Sequence, residues 1–203
     1  MRTFDHLYTE GRLDFTAESL GELGLSSELA AELSKWGLPQ FAGKEPPLGM
    51  VFEAPYLRQE LPSHVVIGRE IWEEGLYITM DQKSGVVWAI SEGEQQKPVY
   101  MNASITGLLT FMDRILGFRK QTDALPPAPP PSVWTAEQMK ERLEKLRNGE
   151  LRPVSNPEDE QARRQRASLF RQLKRELKTI DAQALRAACW WGTVLEEMAD
   201  ELQ

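Results

Sequence analysis

Three short β-like runs follow one another between residues 64 and 90, and they constrain the fold more than any other feature of the chain. The runs HVVIG, GLYITM and VVWAI are rich in β-branched and aromatic residues, and short turn segments separate them. Because parallel neighbours need a long crossover, these strands are expected to pair antiparallel in chain order. Gly85, in the turn DQKSG, can adopt the positive φ that a hairpin loop requires. The sequence therefore predicts a β-meander.

Further elements complete an α+β domain. The run MVFEA lies among prolines and is typical of an edge strand, while PVYM closes the sheet after the turn SEGEQQK. Two short helices are expected before the sheet, the first capped by Thr16 and the second by Ser26 or Ser27. After PVYM the apolar period changes from two to about 3.6, which predicts a helix across the sheet that begins at Asn102 or Ser104.

The run LPPAPPPS, at residues 125–132, marks the clearest boundary in the chain. Such a run favours polyproline II and acts as a semi-rigid spacer, although it could also be a ligand for a domain with an aromatic groove. We therefore divide the chain into an α+β core over 1–124, a Pro-rich linker over 125–133 and a helical region over 134–203 that packs on the core.

The helical region begins with a capping box formed by Thr135 and Gln138. A long basic helix is expected to follow from Asn156 to Lys178, and Asp181 can cap a final helix. The basic helix either lies on the acidic core or beside the preceding helix, binds nucleic acid, or contacts another partner. Its cations are Arg163, Arg164, Arg166, Arg171, Lys174, Arg175 and Lys178.

The negative charge is confined to the first part of the chain. Residues 1–123 contain 11 Lys and Arg against 18 Asp and Glu, whereas residues 124–203 contain 13 of each kind. An anionic surface repels phosphate backbones and favours basic partners, so this part is not expected to bind nucleic acid. A mild acidic excess also keeps a protein soluble, and charge alone leaves that explanation open.

Six acidic residues fall at the ends and turns of the predicted meander, where side chains are expected to project outward. They are either a solvated rim or a surface for binding a protein partner. These candidate residues are Glu70, Glu73, Glu74, Asp81, Glu92 and Glu94.

The motifs of several protein classes do not occur in the sequence. The two histidines, His6 and His64, lie far apart without a neighbouring Cys or His, so no metal ligands are expected. The sequence contains no GxSxG, GxxxxGKS or GxGxxG, and we expect no cofactor and no catalytic residue, although a scattered carboxylate pair stays possible.

No leader and no apolar run of about 18 residues occurs in the sequence. We therefore expect the protein to be in the cytoplasm and to have no membrane partner. The single cysteine, Cys189, is expected to be a buried thiol.

The order of these pieces resembles the SUKH superfamily of immunity proteins, and most of all its fourth subfamily from actinobacteria. The similar features in the meander and the following helix are Val66-Ile67-Gly68, Asp81, Gly85-Val86-Val87 and Met101-Asn102-Ala103-Ser104. The earlier WGLP and the closing LKTIDAQALRAACWWGTVLEEM are also similar to that subfamily. Ala103, where a second serine is common, and the Pro-rich insert depart from the pattern.

The resemblance implies an α+β fold with a curved antiparallel sheet covered by helices, and no enzymatic activity. It also implies a function: to bind and neutralise a polymorphic protein toxin, often a nuclease or a nucleic-acid deaminase. The alternative within the superfamily is a protein-binding adaptor with no link to a toxin. An acidic protein of this kind would occupy the basic substrate cleft of its toxin.

Overall fold

The computed structural model describes residues 4–41, 46–93, 97–126, 135–149 and 157–201. Its helices are α1 (Ala17–Glu22), α2 (Ser27–Trp36), α3 (Ile105–Asp123), α4 (Ala136–Arg147), α5 (Pro157–Ile180) and α6 (Trp190–Glu201). Its strands are β1 (Arg12–Leu13), β2 (Leu38–Pro39), β3 (Met50–Leu57), β4 (His64–Glu70), β5 (Leu76–Asp81), β6 (Val87–Ser91) and β7 (Val99–Asn102).

The predicted meander is confirmed. Strands β3 to β7 form an open five-stranded sheet in chain order, and every neighbouring pair is antiparallel. Gly85 has a φ of 73°, as the turn between β5 and β6 requires. The strand predicted from MVFEA is indeed at an edge of this sheet. The chain therefore has the α+β fold that the sequence predicts.

Side-chain caps begin the helices where the sequence predicts them. Thr16 accepts from the backbone N–H of Ser19, and Ser26 rather than Ser27 caps α2. Ser104 rather than Asn102 caps α3. The predicted capping box at the start of α4 is present in full. Local capping rules were enough at these four positions because each cap involves residues within one helical turn.

Helix α3 is the centre of the core. Its buried apolar side chains include Leu109 and Phe111, which are part of one cluster with residues of the sheet and of α5 and α6. Phe118 on α3 contacts Phe170 on α5 with ring centroids 5.8 Å apart, and Leu173 and Leu177 are buried as well. Helices α5 and α6, which we call the tail, therefore pack against α3 and the sheet through apolar side chains.

The cations of α5 do not make this contact. Six of the seven predicted cations are exposed, and Arg166 is half-buried and donates to the carbonyl of Pro126. Arg164 pairs with Glu160 one turn earlier on the same helix, at 2.5 Å. The stripe of Met139, Leu143 and Leu146 on α4 is exposed too. Residues 127–133 of the predicted linker lie outside the described residues.

The predicted start of the last helix is wrong. Residues 181–189 form turns, and α6 begins at Trp190 instead of after Asp181. The Asp181 carboxylate does cap the turn that follows it, but this turn does not continue into a helix, and the same carboxylate also bonds to the end of β7. Its Oδ2 accepts from the Tyr100 hydroxyl at 2.8 Å and from the Ala103 N–H at 2.9 Å, while its Oδ1 accepts from two backbone N–H groups of its own turn, those of Gln183 and Ala184. Asp181 thus fixes the tail to the end of β7.

We expect the substitution Asp181→Ala to lower the free energy of unfolding by about 2–3 kcal/mol, because it removes the acceptor of four hydrogen bonds at once. Urea unfolding followed by circular dichroism measures the change. Tyr100→Phe is the matched control, since it removes only the hydroxyl and should cost about 1 kcal/mol. Equal losses in the two variants would contradict a role of Asp181 as the anchor of the whole turn.

Candidate partner-binding site

The β4–β5 loop contains two of the six acidic candidates, and a third, Glu70, is the last residue of β4 before it. Glu70 is buried, with only 6% of its surface exposed, so the prediction that its side chain projects outward is wrong. Its Oε2 accepts from the backbone N–H groups of Trp72 at 2.9 Å and Glu73 at 2.6 Å. Glu70 therefore shapes the loop from inside, in the way an Asx or ST side chain shapes a tight turn.

Trp72 lies at the tip of this loop and is 74% exposed. A Cβ on Gly49 would come within 2.4 Å of the Trp72 ring, so the indole rests against a glycine that has no side chain to displace it. An indole that stays in water is unusual, because large aromatic side chains are normally buried. The sequence analysis missed this residue. The available signal was a tryptophan between acidic residues in a turn segment.

Glu73 and Glu74 follow Trp72 and are both exposed. Glu73 accepts from the Ser91 hydroxyl at 3.3 Å, and the backbone N–H of Glu92 donates to Gly75 at 2.8 Å. The structure therefore brings Glu73, Glu74 and Glu92 to the same end of the sheet as Trp72. These four residues form a surface that we name the acidic end.

Glu92 is partly neutralised. Its carboxylate pairs with the Arg58 guanidinium, which also lies over the Tyr77 ring at 4.3 Å and bonds to Glu60. The Arg58 side chain reaches along the sheet from the loop after β3. The net charge of the acidic end therefore comes mainly from Glu73 and Glu74.

Asp81 does not belong to the acidic end. It is the last residue of β5, at the opposite end of that strand, where its Oδ1 accepts from the N–H groups of Lys83 and Ser84 and from the Ser84 hydroxyl. Partial burial alone would raise the pKa of Asp81, but these hydrogen bonds and the nearby His64 outweigh it and hold the pKa below its usual value. Its carboxylate stabilises the turn. Glu94, the sixth candidate, lies outside the described residues.

A groove of about 570 Å³ lies between the β4–β5 loop and α6. Among the described residues that line it, three are acidic, one is a cation, and most of the others are apolar. They are Leu48, Glu70, Trp72, Glu73, Leu76, Val99, Arg119, Trp190, Thr193, Val194, Glu197 and Met198. We name this feature the α6 groove. It adjoins the acidic end through Trp72 and Glu73.

Leu48 gives the groove a strained wall. It has a φ of 60°, the only positive φ of a non-glycine residue in the described ranges, and it is buried. A non-glycine residue in the left-handed region costs on the order of 1 kcal/mol or more, and such residues cluster at binding sites. The next residue, Gly49, also has a positive φ and contacts Trp72 and Glu70.

In the parts of the chain that the structure describes, no group of three or more His, Cys, Asp or Glu residues is placed to hold a metal ion. A search of the same residues for a helix long and apolar enough to cross a membrane found none. Cys189 is buried, as predicted.

The fold and this surface define the class as an α+β protein with an open antiparallel meander, helices on the sheet and one acidic end. A family model described as SUKH-4 immunity protein matches residues 3–197, which is nearly the whole chain. The chain therefore belongs to the SUKH-4 immunity protein family, as its resemblance to the fourth SUKH subfamily implied. Searches of curated proteins and of solved structures found no significant match.

Proposed function

We propose that this protein neutralises a cognate toxin by binding it through the acidic end of its sheet. Membership of the immunity family supports a role in toxin immunity. The observation that supports this particular surface is Trp72, whose indole is 74% exposed beside two exposed carboxylates. Tryptophan is enriched among the residues that dominate binding energy at protein interfaces.

The chemistry of this surface suits a basic partner. Exposed carboxylates raise the rate at which a positively charged protein is captured, whereas buried aromatic contacts set how long the complex lasts. The acidic end offers both kinds of group on one loop, and Glu70 fixes that loop from inside. A rigid loop loses little conformational entropy when it binds.

The toxin class that fits best is a nuclease or a nucleic-acid deaminase. Such an enzyme carries a basic cleft for its substrate, and the acidic end would occupy that cleft in place of the phosphate backbone. In this proposal the protein acts in the cytoplasm by occlusion, without catalysis, and binds no nucleic acid. The core over 1–124 supplies the acidic end, and the region over 134–203 supplies α6 as one wall of the groove.

A coexpression experiment tests the proposed function. The products of the genes adjacent to its own are expressed with and without this protein, and cell survival and copurification are measured. We expect survival and a stable complex only when both are present. Loss of viability despite coexpression, or no complex on copurification, would contradict the proposal.

Reversing the two exposed charges of the acidic end should slow toxin capture. We expect Glu73→Lys with Glu74→Lys to lower the association rate constant roughly tenfold at low salt and to flatten its salt dependence. Stopped-flow fluorescence at several ionic strengths measures both. Glu18→Lys with Glu22→Lys makes the same charge change on exposed positions of α1, which lies beside the β5–β6 turn at the opposite end of the sheet. It is the control and should leave the rate within about twofold. Unaltered kinetics in the first variant would reject the acidic end as the contact surface.

A further inference from the structure

The α6 groove contains two buried polar atoms that lack a hydrogen-bond partner within the described part of the chain. One is Oε1 of Glu70, an acceptor, and the other is Nε1 of Trp190, a donor. Leaving such atoms unpaired costs about 1–3 kcal/mol each, so native proteins seldom do so without a reason. Both residues line the same groove, which makes a ligand the common explanation for the two atoms.

Glu70 is held in place as an acceptor. Its Oε2 is bonded to the N–H groups of Trp72 and Glu73, so the carboxylate cannot turn away from the groove without breaking the loop. A Cβ on Gly49 would lie 2.7 Å from Oε1 and 2.4 Å from the Trp72 ring, which places the indole beside this oxygen. Because Trp72 is 74% exposed, the indole beside this oxygen is available for contacts with a partner.

The charges and the shape of the groove indicate what would fit. Glu70, Glu73 and Glu197 oppose a single described cation, Arg119, and the walls include Leu76 and other apolar side chains. A ligand with a cationic group at the end of an apolar chain matches these carboxylates and apolar walls. Arginine has such a chain, and its planar guanidinium donates several hydrogen bonds to carboxylates and stacks on aromatic rings.

The donor of Trp190 distinguishes a peptide from a free cation. An indole N–H needs an acceptor, which a guanidinium does not have. The backbone carbonyl of a protein segment supplies one next to its own side chain. A nucleic-acid strand also offers acceptors, but three carboxylates would repel its phosphates.

We infer that the α6 groove receives a segment of the toxin that carries an arginine, whose guanidinium donates to Glu70 Oε1 while a carbonyl of the same segment accepts from Trp190 Nε1. This inference rests on the proposed function and adds the site and the chemistry of the anchoring contact. Trp72 then covers the arginine from the solvent side. The acidic end steers the toxin, and the groove retains it.

A small probe tests the groove without the toxin. N-acetyl-arginine amide is titrated into the full-length protein, and the indole N–H signals are followed by ¹H–¹⁵N correlation NMR. We expect a saturable shift of the Trp190 indole signal, no comparable shift with neutral N-acetyl-citrulline amide, and loss of the shift in Glu70→Gln. Equal shifts with both probes, no shift with either, or an unchanged response in Glu70→Gln would overturn the inference.

The toxin complex provides the second test. Glu70→Gln keeps an oxygen for the N–H groups of Trp72 and Glu73 but replaces Oε1 with an amide that donates, so it should weaken toxin binding roughly 30-fold. Glu22→Gln, which removes an exposed charge on α1 away from both the groove and the acidic end, should change it by less than about threefold. Thr193→Lys adds a cation to the groove wall from an exposed position on α6, and it should weaken binding even if Glu70→Gln folds poorly.

The outcomes separate the inference from the proposed function. Toxin binding that is equally tight in the wild-type protein, Glu70→Gln and Thr193→Lys would overturn the groove and leave the proposed function standing. Binding of the arginine probe at Trp190 without any toxin complex would overturn the proposed function and support the groove as an arginine site.

Discussion

Replacing Trp191 with alanine should lower the free energy of unfolding by about 3–5 kcal/mol, the largest loss of stability that we expect from a single substitution in this chain. Trp191 is fully buried, and its ring centroid lies 5.5 Å from that of Phe111 on α3. Its Nε1 donates to the buried Oδ1 of Asn102 at 2.8 Å. Alanine would leave a cavity between the tail and the sheet and an unpaired amide oxygen inside it. Urea or thermal unfolding measures the loss.

Two variants separate the contributions of volume and hydrogen bonding. Trp191→Phe keeps an aromatic ring but cannot donate to Asn102, so we expect a loss of about 1–3 kcal/mol. Trp72→Ala makes the same deletion at an exposed position and should change stability by less than about 0.5 kcal/mol. If Trp191→Ala and Trp72→Ala shifted the unfolding midpoint equally, the contact between α6 and the sheet could not be a main source of stability.

The residues that carried the family resemblance turn out to contact one another. Asn102 on β7 accepts from Trp191 in the tail, and Asp181 accepts from Ala103 and Tyr100. Burial and the hydrogen bond to Asp181 both raise the pKa of the Tyr100 hydroxyl, so it stays a donor over the physiological range. These motifs therefore join the tail to the sheet, and they stabilise the fold.

The sequence alone predicted the features that depend on residues close together in the chain. The antiparallel order of β3 to β7 follows from short turns, the φ of Gly85 from the turn type, and the caps of α1, α2 and α3 from side chains within one helical turn. No knowledge of distant contacts was needed for any of these.

The predictions that were wrong depended on the path of a loop or on partners far away in the chain. Asp181 was expected to cap a helix, but it caps only a turn, and its second carboxylate oxygen binds partners near β7, some 80 residues earlier in the chain. Glu70 was expected to face solvent, but the loop after it turns back and buries it. Charge and spacing also grouped Asp81 with Glu73, although the strand between them places them at opposite ends of the sheet. Trp72 was missed because its exposure depends on the path of that loop.

The second large effect that we expect is on binding. Trp72→Ala should weaken the affinity for the cognate toxin by about 2–4 kcal/mol, or roughly 30-fold to 1000-fold, through a faster dissociation rate. The indole offers a large apolar area that a partner can bury, and its position against Gly49 holds it at low entropic cost. Surface plasmon resonance measures both rate constants.

Leu57→Ala is the matched control, because Leu57 is the other strongly exposed apolar residue of the sheet region, at 49% exposure. Leu57 pairs with Val65, toward the opposite end of β4 from the loop that carries Trp72, so its replacement should leave the affinity within about threefold.

The association rate constant distinguishes the effect of Trp72 from the effect of the two carboxylates. Loss of Trp72 should leave it nearly unchanged, whereas reversal of Glu73 and Glu74 should lower it and leave dissociation nearly unchanged. A Trp72→Ala variant that binds the toxin as tightly as the wild-type protein would show that the interface lies elsewhere on the fold.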